Sequence, residues 1–206
     1  MADQEYEAVS KAKRQAESGN PDGAISTLET FLEKDPDNVN VRIQLARTLV
    51  YNKKEISAGV NQLDIVLEQD PDNVDALKAL VTVLIKHKKN NKRMEGLYEK
   101  LLIVSPDADV YSAYAVFLRL QKTDFKRSAE YYEKAIALKP NKPEFHQNYA
   151  VLLLKDLKDY KKGKEELEIL LKLDPDNASA KKNYDLLMKK KFDSEGNLKK
   201  KSLFRK

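Results

Sequence analysis

The tetrapeptide Asp35-Pro36-Asp37-Asn38 recurs unchanged at residues 70–73 and 174–177. Two related turns, Ser105-Pro106-Asp107 and Lys139-Pro140-Asn141, lie between these copies. The five prolines in these turns are 35, 35, 34 and 35 residues apart. Such a constant spacing predicts internal repeats, each a small structural unit that buries its apolar face only by stacking on its neighbours.

An amphipathic helix is predicted before each of these prolines, because apolar residues recur at i, i+3, i+4 and i+7. Proline then denies the helix its next backbone donor, and the adjacent Asp and Asn residues favour turns and N-caps. The predicted helices are Asp22 to Lys34, Ile56 to Gln69, Arg93 to Val104, Lys126 to Leu138 and Lys161 to Leu173.

A second helix is predicted after each turn, and no stretch of the sequence alternates with the period of two that marks a strand. We therefore predict an all-α protein. The helices of this second set are Val41 to Val50, Ala76 to Ile85, Tyr111 to Leu120, Phe145 to Leu154 and Ala180 to Lys189.

Small residues and large ones recur at fixed places in the period. Helices that cross closely need small side chains at the contact, and the helices before the prolines carry them early, as Ala24, Gly59, Ser128 and Gly163. Large apolar residues lie 26 positions before the next proline, namely Leu45, Leu80, Tyr114 and Tyr149. The one short period must therefore lose its residue in the turn after Pro106 and not inside a helix pair.

The stretch from Asp124 to Pro140, Asp-Phe-Lys-Arg-Ser-Ala-Glu-Tyr-Tyr-Glu-Lys-Ala-Ile-Ala-Leu-Lys-Pro, resembles the second half of a tetratricopeptide repeat. The stretch Gly19-Asn-Pro-Asp-Gly-Ala-Ile25, with Leu28, Leu32 and Pro36, is similar to another. The resemblance covers about residues 5 to 189 and comprises five repeats and a closing helix.

The sequence also departs from the family pattern. The hairpin turns of repeats two to five are one residue longer than usual, and only the first hairpin has its turn glycine, Gly19. The third repeat has Val81, Met94 and Leu101 where small residues are expected. The large aromatic residue expected early in the first helix of a repeat is absent or replaced at Arg42, Leu77, Tyr111 and His146.

The resemblance implies an α-solenoid, a right-handed superhelix of antiparallel helix pairs. We expect repeats at residues 5–38, 39–73, 74–107, 108–142 and 143–177, followed by a closing helix at 178–190. The solenoid would then occupy residues 1–190, and residues 191–206 would form a basic tail.

The resemblance further implies a non-enzymatic scaffold or adaptor that binds a peptide or partner protein in the concave groove, which the first helices line. The alternative is that most groove positions are simply a solvated helix face. The expected partner-binding residues are Asn40, Gln44, Arg47, Tyr51, Lys78, Lys86, Arg119, Gln147, Asn148 and Lys155. Further positions expected along the groove are Thr82, Ser112, Val116 and Val151, beside the apolar residues Ile43, Val50, Ile85 and Leu154.

The net charge of +5 is concentrated at the C-terminus. Residues 181–206 contain ten Lys and Arg against three acidic residues, a balance of +7, whereas the other 180 residues balance at −2. The tail is either a solubilising cap or an electrostatic handle that recruits the chain to an anionic membrane, to nucleic acid or to an acidic partner. The residues of that handle would be Lys199, Lys200, Lys201, Arg205 and Lys206.

Composition excludes several kinds of chemistry. The chain has no cysteine and two histidines, and neither His87 nor His146 has a second histidine or a carboxylate cluster at ligand spacing. We therefore predict no metal, no cofactor and no enzymatic activity. No apolar run approaches the length of a membrane span, and a signal-peptide pattern is absent, so we expect a soluble, cytoplasmic protein. Self-association through the solenoid ends or the concave face stays an open alternative.

Overall fold

The structure, a computed structural model, describes residues 2–86 and 91–199. These residues form helices joined by short turns, and their only β pairing is a single antiparallel bridge between Phe192 and Leu198. The chain divides into two compact units, unit 1 (Met1–Ser105) and unit 2 (Pro106–Lys206). The prediction of an all-α solenoid is confirmed. None of the helices in the described ranges is long and apolar enough to cross a membrane.

Unit 1 is a succession of helices in which each packs against the next. The first helices of the pairs, α1, α3 and α5, are also neighbours of one another. Its core contains Ala12, Ala24, Leu28, Val41 and Leu45, each at most 2% exposed. The helices are α1 (Ala2–Glu17), α2 (Pro21–Leu32), α3 (Val39–Thr48), α4 (Ile56–Gln69), α5 (Val74–Lys86) and α6 (Asn91–Val104).

Unit 2 continues the same pattern of consecutive antiparallel pairs. Tyr132 and Tyr149 are buried between the middle helices, with their ring centroids 5.7 Å apart. A second buried cluster joins Leu167, Leu187 and Phe192 at the C-terminal end. The helices are α7 (Ala108–Phe117), α8 (Phe125–Leu138), α9 (Pro143–Leu152), α10 (Tyr160–Leu173) and α11 (Ala178–Lys191).

The repeated tetrapeptide ends one helix and caps the next, as predicted. Asn38 precedes α3, and its side-chain oxygen accepts a hydrogen bond from the backbone N–H of Val41 at 3.0 Å. The amide nitrogen of Asn38 donates to Asp35 Oδ2 at 3.0 Å. The cap thus satisfies a helix N–H that has no partner inside the helix. The other two copies pair in the same way, Asn73 with Asp70 and Asn177 with Asp174.

The extra residue of the longer hairpin turns is absorbed by a π-helical turn at the end of the first helix. In the described residues these turns are Leu49–Lys53, Leu118–Lys122 and Leu153–Leu157. Each is followed by a residue with left-handed backbone conformation, which lets the chain reverse. The backbone N–H beyond that residue returns to the first carbonyl of the turn, as from Glu55 to Leu49 at 2.9 Å. Gly19 supplies the left-handed residue of the first hairpin, with φ of 82°.

The turn between α6 and α7 is short, as the spacing arithmetic predicts. Three residues separate Val104 from Ala108, whereas four separate α4 from α5 and α8 from α9. The third repeat fills its seam with larger residues, since Val81, Met94 and Leu101 are all buried. Larger side chains therefore fill the seam of this repeat.

Arg42 and His146, which stand where the family has a large aromatic residue, form hydrogen bonds to corresponding parts of their repeats. Arg42 donates from Nε to the carbonyl of Pro36 at 2.8 Å and from Nη1 to Gln62 Oε1 at 2.9 Å. His146, only 2% exposed, lies 2.7 Å from the carbonyl of Pro140 and 2.7 Å from Glu166 Oε2. In both repeats the side chain joins the preceding proline turn to the following helix. His146 therefore has a structural role in the core.

Candidate functional site

A cavity of about 430 Å³ opens in unit 1 beside α1 and α3. The predicted partner-binding residues Asn40, Gln44 and Arg47 lie together on its α3 side. Its lining is Glu5, Tyr6, Val9, Lys13, Asn40, Ile43, Gln44, Arg47 and Asp75.

A second cavity, of about 150 Å³, adjoins the first because Arg47 lines both. It brings Tyr51 of the π-helical turn and Lys78 of α5 next to Arg47. Its lining is Ala46, Arg47, Tyr51, Leu63, Lys78, Ala79, Thr82 and Val83. We refer to the two cavities together as the unit 1 groove.

Four groove residues from α1 were missed by the sequence analysis. Glu5, Tyr6, Val9 and Lys13 line the larger cavity, and Tyr6 is 76% exposed there. The repeat spacing could have located them, since Glu5 and Val9 precede Asn40 and Gln44 by one period of 35 residues. The sequence-based prediction covers the groove positions of repeats two to five only.

Some polar side chains of the unit 1 groove already form hydrogen bonds inside the chain, and others do not. Glu5 accepts hydrogen bonds from Asn40 Nδ2 at 2.8 Å and from Asn38 Nδ2 at 3.1 Å, which ties α1 to α3. Arg47 is exposed, and among the described residues it has no ion-pair partner. Arg47 is therefore a cation of the groove that a ligand can engage without displacing an internal contact.

Unit 2 has a smaller and more apolar opening, of about 190 Å³, between α9 and α11. We call it the unit 2 slot. Of the predicted groove residues, Val151, Leu154 and Lys155 line it. Gln147 is exposed and Asn148 is half-buried, and both lie on α9 outside its lining. The lining is Val151, Leu154, Lys155, Tyr160, Asn183, Leu186, Leu187, Lys190 and Lys191.

Three expected groove residues have other surroundings in the structure. The guanidinium of Arg119 forms an ion pair with Asp156, and both side chains are about four-fifths buried, at 19% and 22% exposed. Ser112 and Val50 are buried, at 6% and 1% exposed, so they are core residues and not groove residues. The repeat period alone predicted these residues in the groove, whereas burial and ion pairing depend on contacts with neighbouring helices.

Other charges of unit 2 are also paired inside the unit. Lys162 donates to Glu133, which also accepts a hydrogen bond from the Tyr149 hydroxyl at 2.6 Å. These two donors hold the pKa of the Glu133 carboxyl below its usual range. By contrast, Lys155 and Lys190 have no carboxylate partner among the described residues.

The described part of the predicted basic tail is ordered against α11. Phe192 is 5% exposed and belongs to the C-terminal core. The turn that follows is closed by Asp193, which accepts backbone hydrogen bonds from Glu195 and Asn197. Lys199 donates from Nζ to the carbonyl of Lys189 at 2.7 Å, a favourable place for a cation at a helix C-terminus. The side chain of Lys86 and residues Lys200, Lys201, Arg205 and Lys206 lie outside the described residues.

Several solved structures resemble the chain, at sequence identities so low that the likeness shows the fold alone. MamA 41-end from Desulfovibrio magneticus RS-1 is 20% identical over 85% of this chain and 98% of its own, with a TM-score of 0.72. A second MamA structure, MamA MSR-1, is 20% identical over 86% of this chain and 100% of its own, with a TM-score of 0.65. YrrB, described as a TPR protein with an unusual peptide-binding site, is 18% identical over 79% of this chain and 82% of its own, with a TM-score of 0.65.

No curated protein matches the sequence significantly. Family models described as tetratricopeptide repeat match residues 15–84, 108–142 and 143–177, about two thirds of the chain. The last two ranges have the same bounds as the predicted fourth and fifth repeats. The chain therefore belongs to the tetratricopeptide repeat family.

Proposed function

We propose that the chain is a non-enzymatic interaction scaffold that binds an extended segment of a partner protein along the unit 1 groove. The observation that carries the proposal is the continuity of the groove. Its two cavities share Arg47 and draw their lining from the first helices of three successive repeats. Such a surface, built from neighbouring helices of a repeat stack, is the form in which these folds present a binding site.

The chemistry of the groove suits a peptide backbone with a few side-chain anchors. Gln44 offers an amide and Arg47 a cation, which can bind the carbonyls or carboxylates of an extended segment. Tyr6, largely exposed at the edge, supplies a ring that packs and donates a hydrogen bond. The resemblance to YrrB, a protein described as having a peptide-binding site, supports this type of ligand.

Site-specific photocrosslinking in native lysate tests the location of the site. A benzophenone amino acid replaces Gln44, which lines the groove, or Ser26, which is exposed on α2 outside both cavities. We expect a discrete crosslinked partner from position 44 and none from position 26. Equal crosslinking at both positions would mean non-specific contact and would contradict the proposal.

A charge-reversal pair tests the part played by Arg47. Arg47→Glu should reduce the yield of the crosslink at position 44 at least severalfold, because it places an anion where the ligand accepts hydrogen bonds. Arg14→Glu is the matched control, since Arg14 is exposed on α1 and lines neither cavity. Unchanged capture by the Arg47 variant would remove this residue from the site. Recruitment through the basic tail stays a prediction of the sequence.

A further inference from the structure

The unit 2 slot differs from the unit 1 groove in that its floor is apolar. Val151 and Leu154 from the end of the α9 region face Leu186 and Leu187 of α11 across it. Leu186 is 47% exposed, although it lies in a helix whose other leucine is buried. A cavity of about 150 Å³ accommodates a benzene ring, so the slot of about 190 Å³ accommodates one leucine or phenylalanine side chain.

The rim of the slot is cationic. Lys155, Lys190 and Lys191 line it, and no Asp or Glu among the described residues does. Lys191 is held over the ring of Tyr160, with its Nζ 4.4 Å from the ring centroid. That contact leaves the full charge of the ammonium at the opening, since an aromatic face does not neutralise it. The rim therefore attracts anions.

We propose that the unit 2 slot is a second docking site, for an acidic segment of a partner protein that inserts one aliphatic or aromatic side chain. The apolar floor receives the side chain, and carboxylates on either side of it pair with Lys155 and Lys190. This proposal rests on the proposed function only in its premise that the chain is an interaction scaffold. It is built wholly from unit 2 residues, so it stands or fails separately from the unit 1 groove.

Charge decides between this occupant and the chain's own C-terminus. The end of the sequence, Leu203-Phe204-Arg205-Lys206, offers apolar side chains, but they are flanked by cations that the lysine rim repels. The same lysine side chains attract an acidic segment.

Binding is measured by ¹H–¹⁵N NMR titration of the full chain with three blocked peptides. The probe is acetyl-Asp-Glu-Glu-Leu-Glu-Asp-amide, and its controls replace the leucine with alanine or every acid with lysine. Blocked termini ensure that only side chains are compared. We expect the probe to shift the amide signals around Val151, Leu154 and Leu186, and both control peptides to bind much more weakly.

Charge reversal on the protein separates the rim from general electrostatics. Lys155→Glu with Lys190→Glu should weaken probe binding by about tenfold, because each exposed pair contributes modestly and its reversal adds repulsion. The control carries the same charge change at Lys126 and Lys181, which are exposed and do not line the slot. Equal weakening by the two double variants would overturn the proposal, and so would equal binding of the leucine and alanine peptides.

Two further measurements complete the test. Arg47→Glu should leave probe binding unchanged, so failure of the unit 1 groove and failure of the slot are distinguishable. Leu203→Ser with Phe204→Ser in the full chain should also leave it unchanged. If the probe binds only after that second change, the chain's own end fills the slot and the proposal is wrong.

Discussion

A close approach of two helices in unit 1, at Gly59, gives the sharpest test of how the repeats pack. Gly59, early in α4, is buried against the end of the preceding helix. A Cβ at this position would lie 2.4 Å from Val50 Cγ2 and 2.9 Å from the carbonyl oxygen of Ala46. The second atom belongs to the backbone, and Val50 has few rotamers to escape into. We therefore expect Gly59→Ala to destabilise unit 1.

The magnitude follows from two opposed effects. Replacing a helical glycine by alanine gains about 1 kcal/mol of helix propensity. Inserting a methyl group into a closed seam costs about 1–3 kcal/mol. Because a backbone atom must move, we take the upper part of that range, and the free energy of unfolding should fall by about 1–2 kcal/mol net. At Gly163 the two closest atoms, 2.5 and 2.8 Å from the added Cβ, belong to the Leu154 side chain and not to the backbone, so Gly163→Ala should destabilise less than Gly59→Ala.

Urea unfolding followed by circular dichroism measures these changes. Gly96→Ala is the matched control, because Gly96 lies in α6 of the same unit and a Cβ there would meet no atom of the described residues within 4 Å. We expect the control to be stabilised by about 1 kcal/mol, which separates the two unit 1 variants by about 2–3 kcal/mol. If Gly59→Ala were as stable as Gly96→Ala, the close packing of α4 on the preceding helix would be refuted.

Three further predictions concern unit 2. Removing one partner of the buried His146–Glu166 pair should lower the free energy of unfolding by about 3–5 kcal/mol. Replacing both residues with leucine should lower it by much less than the sum of the two single changes. A double-mutant cycle measured by urea unfolding tests this. Burial raises the pKa of Tyr132 to about 12. In the unfolded chain this phenol ionises near pH 10. Its ionisation should therefore lower the free energy of unfolding by up to about 3 kcal/mol between pH 10 and 12. If the Tyr132→Phe variant lost just as much stability over this pH range, the prediction would be wrong. Deleting residues 200–206, a cut that spares the buried Phe192, should reduce co-sedimentation with anionic vesicles at low salt; equal sedimentation of both forms would rule out an electrostatic tail.

Local chemistry made much of the fold predictable. Asn38 caps a helix through its own side chain and a backbone N–H three residues ahead, a contact that depends on a few neighbouring residues only. The proline spacing located the helix pairs, and small residues such as Gly59 marked their seams. The short turn after Pro106 followed from counting, because each repeat buries its apolar residues in the same register as its neighbours.

The candidate site was less predictable, because the groove depends on contacts between repeats. The repeat period predicted both Arg47 and Arg119 on a binding surface. In the structure, however, Arg119 is paired with Asp156, 37 residues further along the chain. Tyr6 lies in the first repeat and Phe192 follows the closing helix, so a neighbouring repeat is missing on one side of each and the pattern did not predict their positions.

By itself, the sequence determined that this protein is built of helix pairs, where each pair turns, and which residues face the seam. Those features are set by interactions a few residues apart along the chain. Only the tertiary structure decided which polar side chains are already paired and which remain available, because that depends on the distance between side chains of different repeats. The same distances decided that unit 1 has a mixed polar groove and unit 2 an apolar slot with a cationic rim.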